Sequence, residues 1–212
     1  GANGCTSTAQ AEVDQDDDIP GAQATGGTLT CSITSIQLGG TGNGSFAWTG
    51  PNGFLSTEQN PTVNAEGTYV LTVTGINGCT SQANADVDLN DLTPSAGAGV
   101  DGVLTCTTTS VTLTGGSLTI GTEFAWSGPQ GFTATIPQPT TSVPGLYTLT
   151  VTGPNGCTSV REVEVMQDLS TPSAGAGVDG VLTCTTTSVT LTGGSLTIGA
   201  EFAWTGPQGF TA

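Results

Sequence analysis

The chain has 212 residues, of which 17 are acidic and one, Arg161, is basic; there is no Lys and no His, and the net charge is −16. One cation cannot neutralise a phosphate backbone or hold to an anionic headgroup layer, so nucleic-acid and membrane-surface partners are excluded. Without His or Lys the common general bases and Schiff-base amines are missing, no nucleophile elbow or phosphate-binding loop occurs, and no apolar run is long enough to span a bilayer, so the chain reads as a non-enzyme with no membrane insertion.

In chain order, residues 1–20 read as the last strand of a preceding repeat, closing on an acidic stretch, "DQDDDIP". Residues 21–92 form a first whole repeat and 95–170 a second, in which each element is legible. "DGVLTC" (101–106) predicts a short first strand, and "SVTLTGG" (110–116) sets Val111 and Leu113 against Thr with the period of a half-buried strand. "EFAWSGP" (123–129) carries Phe124 and Trp126 on one side, and "GPQGF" (128–132) has Pro and Gly at turn spacing. "GLYTLTVTG" (145–153) turns Tyr147, Leu149 and Val151 inward, "PNGC" supplies an Asn-Gly turn, and "CTSVREVEV" (157–165) returns with Val163 and Val165. Residues 173–212 read as the first half of a further repeat. Positions 93–134 and 171–212 match over 42 residues with two differences, Thr122 against Ala200 and Ser127 against Thr205. On this reading the 212 residues are a window on a longer array.

No segment has helical periodicity. Six or seven short antiparallel strands in about 75 residues, with one Trp in a central strand, predict an all-β fold of tandem immunoglobulin-like sandwiches. Trp48, Trp126 and Trp204 recur at a spacing of 78 and are assigned to the cores. Tyr69 and Tyr147 each follow two residues after a Gly at the start of a late strand, as in a tyrosine corner, and are assigned to the cores as well.

The run "LTC…SVTLTGGS…FAWSGPQGF…GLYTLTVTGPNGCTS…VEV" resembles the immunoglobulin-like, PKD-like repeats of giant bacterial surface proteins, including the gliding-adhesin type exported by type IX secretion. The resemblance implies a cell-surface or extracellular location and an adhesive or fibre-forming role. It marks a scaffold rather than a ligand site.

Six cysteines stand at 5, 31, 79, 106, 157 and 184, with no CxxC pair and no His to join them, which favours disulfides in an oxidising compartment over zinc. Pairing within each repeat, Cys31 with Cys79 and Cys106 with Cys157, is the expectation, with Cys5 and Cys184 bonded outside the window or between repeats. Two other pairings stay open. One joins Cys5–Cys31, Cys79–Cys106 and Cys157–Cys184; the other joins Cys31 to Cys157. The objection to the within-repeat pairing is that its cysteines end a first strand and begin a last one, near opposite ends of a sandwich.

Acids cluster at the junctions: Asp14, Asp16, Asp17 and Asp18 at the first, Asp86, Asp88 and Asp91 with Asn90 at the second, and Asp168 at the third. "DLNDLTP" (88–94) resembles the calcium-binding junction of cadherin repeats, and clustered hard oxygens suit Ca²⁺; the competing reading is a solvated acidic linker. The third junction has Met166 where Asp88 stands. The expected role is a stalk or fibre whose partners are copies of itself or adjacent repeats of one long chain. The alternative is an adhesin module in which loop rings such as Phe54 and Phe132 contact surface glycans and repetition gives avidity.

Overall fold

The structure is a computed structural model that describes residues 2–212. In the first repeat, nine short strands follow one another: β1 (Gln23–Thr25), β2 (Gly27–Thr30), β3 (Ile36–Gln37), β4 (Gly39–Thr41), β5 (Ser45–Gly50), β6 (Phe54–Ser56), β7 (Thr62–Val63), β8 (Gly67–Thr74) and β9 (Thr80–Asn90). β1 pairs with β4, and β3 with β7, all antiparallel. The facing layer has the order β2-β9-β8-β5-β6. The period of two works as the sequence implies: along β8, Tyr69, Leu71 and Val73 are buried while the residues between them are half-exposed. These three pack with Leu29, Leu38, Trp48, Val63, Ala85 and Val87 into one core between the layers.

β1 belongs to one layer and β2, one residue later, to the other. The switch occurs at Gly26, whose position lies so close to the Asp86 carbonyl that a Cβ there would overlap it. β2 then runs parallel to the end of β9, with Gly27 to Thr30 opposite Val87 to Asn90. A first strand split between two layers, its second part parallel to the last strand, completes an immunoglobulin-like sandwich.

The second repeat has β10 (Gly97–Val100), β11 (Val111–Gly116), β12 (Glu123–Ser127), β13 (Thr133–Ala134), β14 (Thr140–Thr141), β15 (Gly145–Thr152) and β16 (Thr158–Val165). Its layers are β10-β11-β14 and β13-β12-β15-β16, around a core that includes Leu104, Leu113, Trp126, Tyr147, Leu149 and Val165. The strand predicted over 101–106 is a correction: the strand lies at Gly97–Val100, and only a single parallel bridge, Leu104 to Gln167, follows it. The alignment of "GGTLTC" with "DGVLTC" gives the reason. Asp101 stands where Gly26 stands, and its carboxylate turns back to accept the Thr112 N–H at 2.7 Å. That hydrogen bond, from the backbone of Thr112 first, holds the Asp101 carboxyl below its ordinary pKa.

Both tyrosines form corners. The Tyr69 hydroxyl donates to the Ala65 carbonyl at 3.0 Å and that of Tyr147 to the Val143 carbonyl at 2.8 Å. The two tryptophans differ by one bond. Trp48 Nε1 donates to the Gln59 carbonyl at 3.2 Å, whereas Trp126 Nε1 is buried with no acceptor among the described residues. Trp48→Phe should therefore cost its repeat about 1 kcal/mol more than Trp126→Phe costs the other, since only the first breaks a satisfied hydrogen bond. Denaturant unfolding of the two variants checks this; equal losses would mean the indole N–H groups are energetically alike.

Residues 171–212 repeat the opening of the fold as a hairpin of β17 (Gly175–Val178) and β18 (Leu191–Gly194), in the register of β10 and β11. Trp204, assigned to a core, is only half-buried, and Phe202 is 53% exposed. The strands that bury Trp126, β15 foremost, have no counterpart in this stretch.

Candidate functional site at the junction between repeats

The parallel course of β2 decides where its cysteine goes. Thr30 ends β2 beside Asn90, the last residue of β9, at the pole where the chain leaves the first sandwich. Cys31 is presented there on a tight turn: Thr30 Oγ1 accepts the N–H groups of Ser32 and Ile33, at 3.2 and 2.9 Å. In the second repeat, β15 and β16 are joined at the entry pole by Pro154-Asn155-Gly156-Cys157. Asn155 Oδ1 accepts the Cys157 N–H at 3.1 Å, and the Gly153 N–H donates to the Cys157 carbonyl at 2.8 Å. The exit turn of one sandwich and the entry turn of the next meet, and Cys31 is disulfide-bonded to Cys157 with their Cα atoms 5.0 Å apart.

The bond is embedded in a polar clasp. Ser32 donates to the Asn155 carbonyl from both its N–H and its hydroxyl, each at 3.3 Å. The Asn155 amide grips the linker, donating to the Asn90 carbonyl (3.3 Å), Asn90 Oδ1 (3.0 Å) and the Leu92 carbonyl (2.9 Å). The Ser159 hydroxyl closes the clasp on the Pro94 carbonyl at 2.6 Å. Cys157 is 1% exposed.

The within-repeat pairing is therefore corrected. Cys31 and Cys79 belong to opposite poles of one sandwich, as do Cys106 and Cys157, and no disulfide bridges that distance. Cys106 and Cys184 are exposed thiols, and Cys79 is a half-buried one. The alternative at 26–27-residue spacing is not formed either, since Cys157 is bonded to Cys31.

The same clasp occurs one repeat earlier. The Asn77 amide donates to the Asp16 carbonyl (3.4 Å), Asp16 Oδ1 (2.9 Å) and the Asp18 carbonyl (2.9 Å), matching the three contacts of Asn155. Three of the candidate calcium ligands, Asp16, Asp18 and Asn90, thus act as acceptors of an asparagine amide. Asp16 and Asn90 are the equivalent acceptors, and Asp16 also receives the Asp18 N–H. Asp86 Oδ1 accepts from Thr68 Oγ1 at 2.7 Å, and hydrogen bonds from the Ser170 hydroxyl and N–H hold the Asp168 carboxyl below its usual pKa. Asp14, Asp17, Asp88 and Asp91 are exposed. Among the described residues no three Asp, Glu or Cys side chains converge as a metal site. The loop rings Phe54 and Phe132 are half-buried, edge-on to Tyr69 and Tyr147 with centroids 5.2 and 5.1 Å apart.

The junction joins one sandwich to the next through a covalent bond and a set of amide contacts. Sequence reasoning missed Asn77, Asn155 and Ser32. The signal was the recurrence of Asn-Gly-Cys at 3–5, 77–79 and 155–157 in a chain whose other cysteines all follow Leu-Thr.

No protein-family model matches the chain, and no curated protein matches it. Among solved structures it is similar to murine CEACAM1b, at 13% identity over 69% of this chain and 98% of that one, with a TM-score of 0.35. It is similar also to a 1.5-MDa bacterial ice-binding adhesin, at 11% identity over 77% of this chain and 70% of that one, with a TM-score of 0.44. Extracellular domains 3–5 of Drosophila OTK match at 12% identity, over 69% of this chain and 60% of that one, with a TM-score of 0.36. The fold assignment rests on the strand pairings described above.

Proposed function

We propose that the chain is a structural, adhesive segment of an extracellular bacterial surface protein of the gliding-adhesin type, a stalk or fibre built from repeats at 21–92 and 95–170 with 1–20 and 173–212 belonging to flanking repeats. The observation that carries this reading is the Cys31–Cys157 bond between neighbouring sandwiches. A disulfide between repeats spends its stabilisation on inter-domain geometry, and it persists only in an oxidising compartment. No helix among the described residues is long and apolar enough to cross a membrane. The partners in this reading are adjacent repeats and further copies of the chain. The sheet edges carry no Lys, the residue that most often blocks edge pairing, which favours lateral or end-to-end association.

Small-angle scattering tests the reading. A stapled array behaves as a rod that grows by roughly 30–40 Å per repeat, the length of a strand plus its loops. A particle whose two sandwiches sample all angles would contradict it. The same experiment, run with added Ca²⁺ and with a chelator, should give superimposable curves, because the amides of Asn77 and Asn155 already bind the junction acceptors. A rod that stiffens only with Ca²⁺ would restore the cadherin-like reading of Asp14–Asp18 and Asp86–Asp91.

A further inference from the structure

We propose that Cys31–Cys157 is one link of a periodic series, in which the Leu-Thr-Cys turn of each repeat is disulfide-bonded to the Asn-Gly-Cys turn of the next. The partner this assigns to Cys106 and to Cys184 is the Asn-Gly-Cys turn of a following repeat, and the partner of Cys79 is the Leu-Thr-Cys turn of a preceding one. The inference holds whether the array is a stalk or an adhesin.

Three observations carry it. First, the exit turn is built identically in all three repeats. Thr30, Thr105 and Thr183 each accept, through Oγ1, the N–H groups two and three residues on, at 3.2 and 2.9 Å in every case. Each N–H of these threonines also donates to the carbonyl three residues on at 2.9 Å. Cys31, Cys106 and Cys184 therefore project from the same local frame, and the last two are exposed.

Second, the entry turn is equally constant. Asn77 and Asn155 each accept the N–H of their cysteine at 3.1 Å, and Gly75 and Gly153 each donate to that cysteine's carbonyl at 2.8 Å. Third, the path of the linker past the entry turn is the same at both junctions, since Asn77 grips Asp16 and Asp18 as Asn155 grips Asn90 and Leu92. Equal turns on an equal linker path give an equal step, so a preceding exit turn would meet Cys79 as Cys31 meets Cys157.

Forming each link removes two protons and two electrons from two thiols. Oxidised glutathione, as a small-molecule disulfide, accepts them by exchange: a thiolate of one turn displaces a glutathione thiol, the partner thiolate displaces the second, and two reduced glutathione molecules leave.

The test lengthens the chain by one repeat, inserting after residue 170 a second copy of residues 93–170 in which Val103→Ile and Val160→Ile, both at exposed side chains, mark the copied cysteine peptides by mass. Folded in a glutathione redox buffer and mapped without reduction, this chain should show Cys106 linked to the copied Asn-Gly-Cys turn alongside Cys31–Cys157. One fewer thiol should be alkylated than in the same chain carrying Cys106→Ser, which loses a cysteine but frees its partner. Cys106 linked to the cysteine of its own repeat, or left alkylatable while Cys31–Cys157 forms, overturns the proposal. The 212-residue chain at high concentration separates the sources of the partner. Disulfide-linked oligomers joining Cys106 or Cys184 to Cys79 show that a second copy supplies the turn; links between two Leu-Thr-Cys turns overturn the periodic scheme.

Discussion

A Cys157→Ser chain should keep both sandwiches folded at room temperature and yet unfold at a lower temperature and bend at the junction. The bond closes a loop 126 residues in sequence, for which the chain-entropy estimate of stabilisation is about 5 kcal/mol. That figure is an upper bound, because part of the loop restrains how the two units are arranged rather than how either is folded. Each repeat has its own core, centred on Trp48 and on Trp126, and neither core contains Cys31 or Cys157. Tryptophan emission should therefore be unchanged while the thermal midpoint falls and the scattering profile loses its rod character. The clasp of Ser32 and Asn155 remains in the variant, so the loss should be less complete than in the double variant Cys157→Ser/Asn155→Ala. A midpoint and profile equal to the parent's would show that the disulfide restrains nothing the clasp does not already hold.

Gly128→Ala should destabilise the second repeat by about 3 kcal/mol, the upper end of what overpacking costs in a core. The backbone is not the reason: φ at Gly128 is −170°, extended, and open to any residue. The reason is space, because a Cβ there would overlap the ring of Tyr147. That ring cannot yield, since its hydroxyl is held by the Val143 carbonyl and by Thr141 Oγ1, and it packs in a T-shaped pair with Phe132. The same substitution in a Tyr147→Leu background should cost markedly less, and denaturant unfolding of the four chains gives the coupling. Equal costs in both backgrounds would mean the glycine serves something other than the tyrosine. Gly50 and Tyr69 repeat the arrangement, so Gly50→Ala should behave alike in the first repeat.

The sandwich was legible because alternation is a local signal. Tyr147, Leu149 and Val151 could be assigned to the interior from spacing alone, and they are buried. The corner was legible from Gly145 and Tyr147, two residues apart at a strand start. What could not be read was the disulfide, because its geometry depends on a non-local event. Cys31 reaches the exit pole only because β2 changes layers at Gly26 and runs parallel to β9. Nothing in a strand's own sequence announces a parallel partner 60 residues away. The first strand of the second repeat was misjudged for a related reason: "DGVLTC" keeps the alternation of "GGTLTC", but Asp101 adds a Cβ at the one position where the backbones must nearly touch. The junction was half legible. The acids stood out by charge, yet the groups that organise the linker are the amides of Asn77 and Asn155, which composition hides among turn residues.

The claim that neighbouring sandwiches are covalently joined pole to pole is tested most directly by peptide mapping of the unreduced, thiol-blocked 212-residue chain. The account predicts one cross-linked pair of peptides within the chain containing Cys31 and Cys157, released by reduction. A peptide pair joining Cys31 to Cys79, or Cys106 to Cys157, would contradict it.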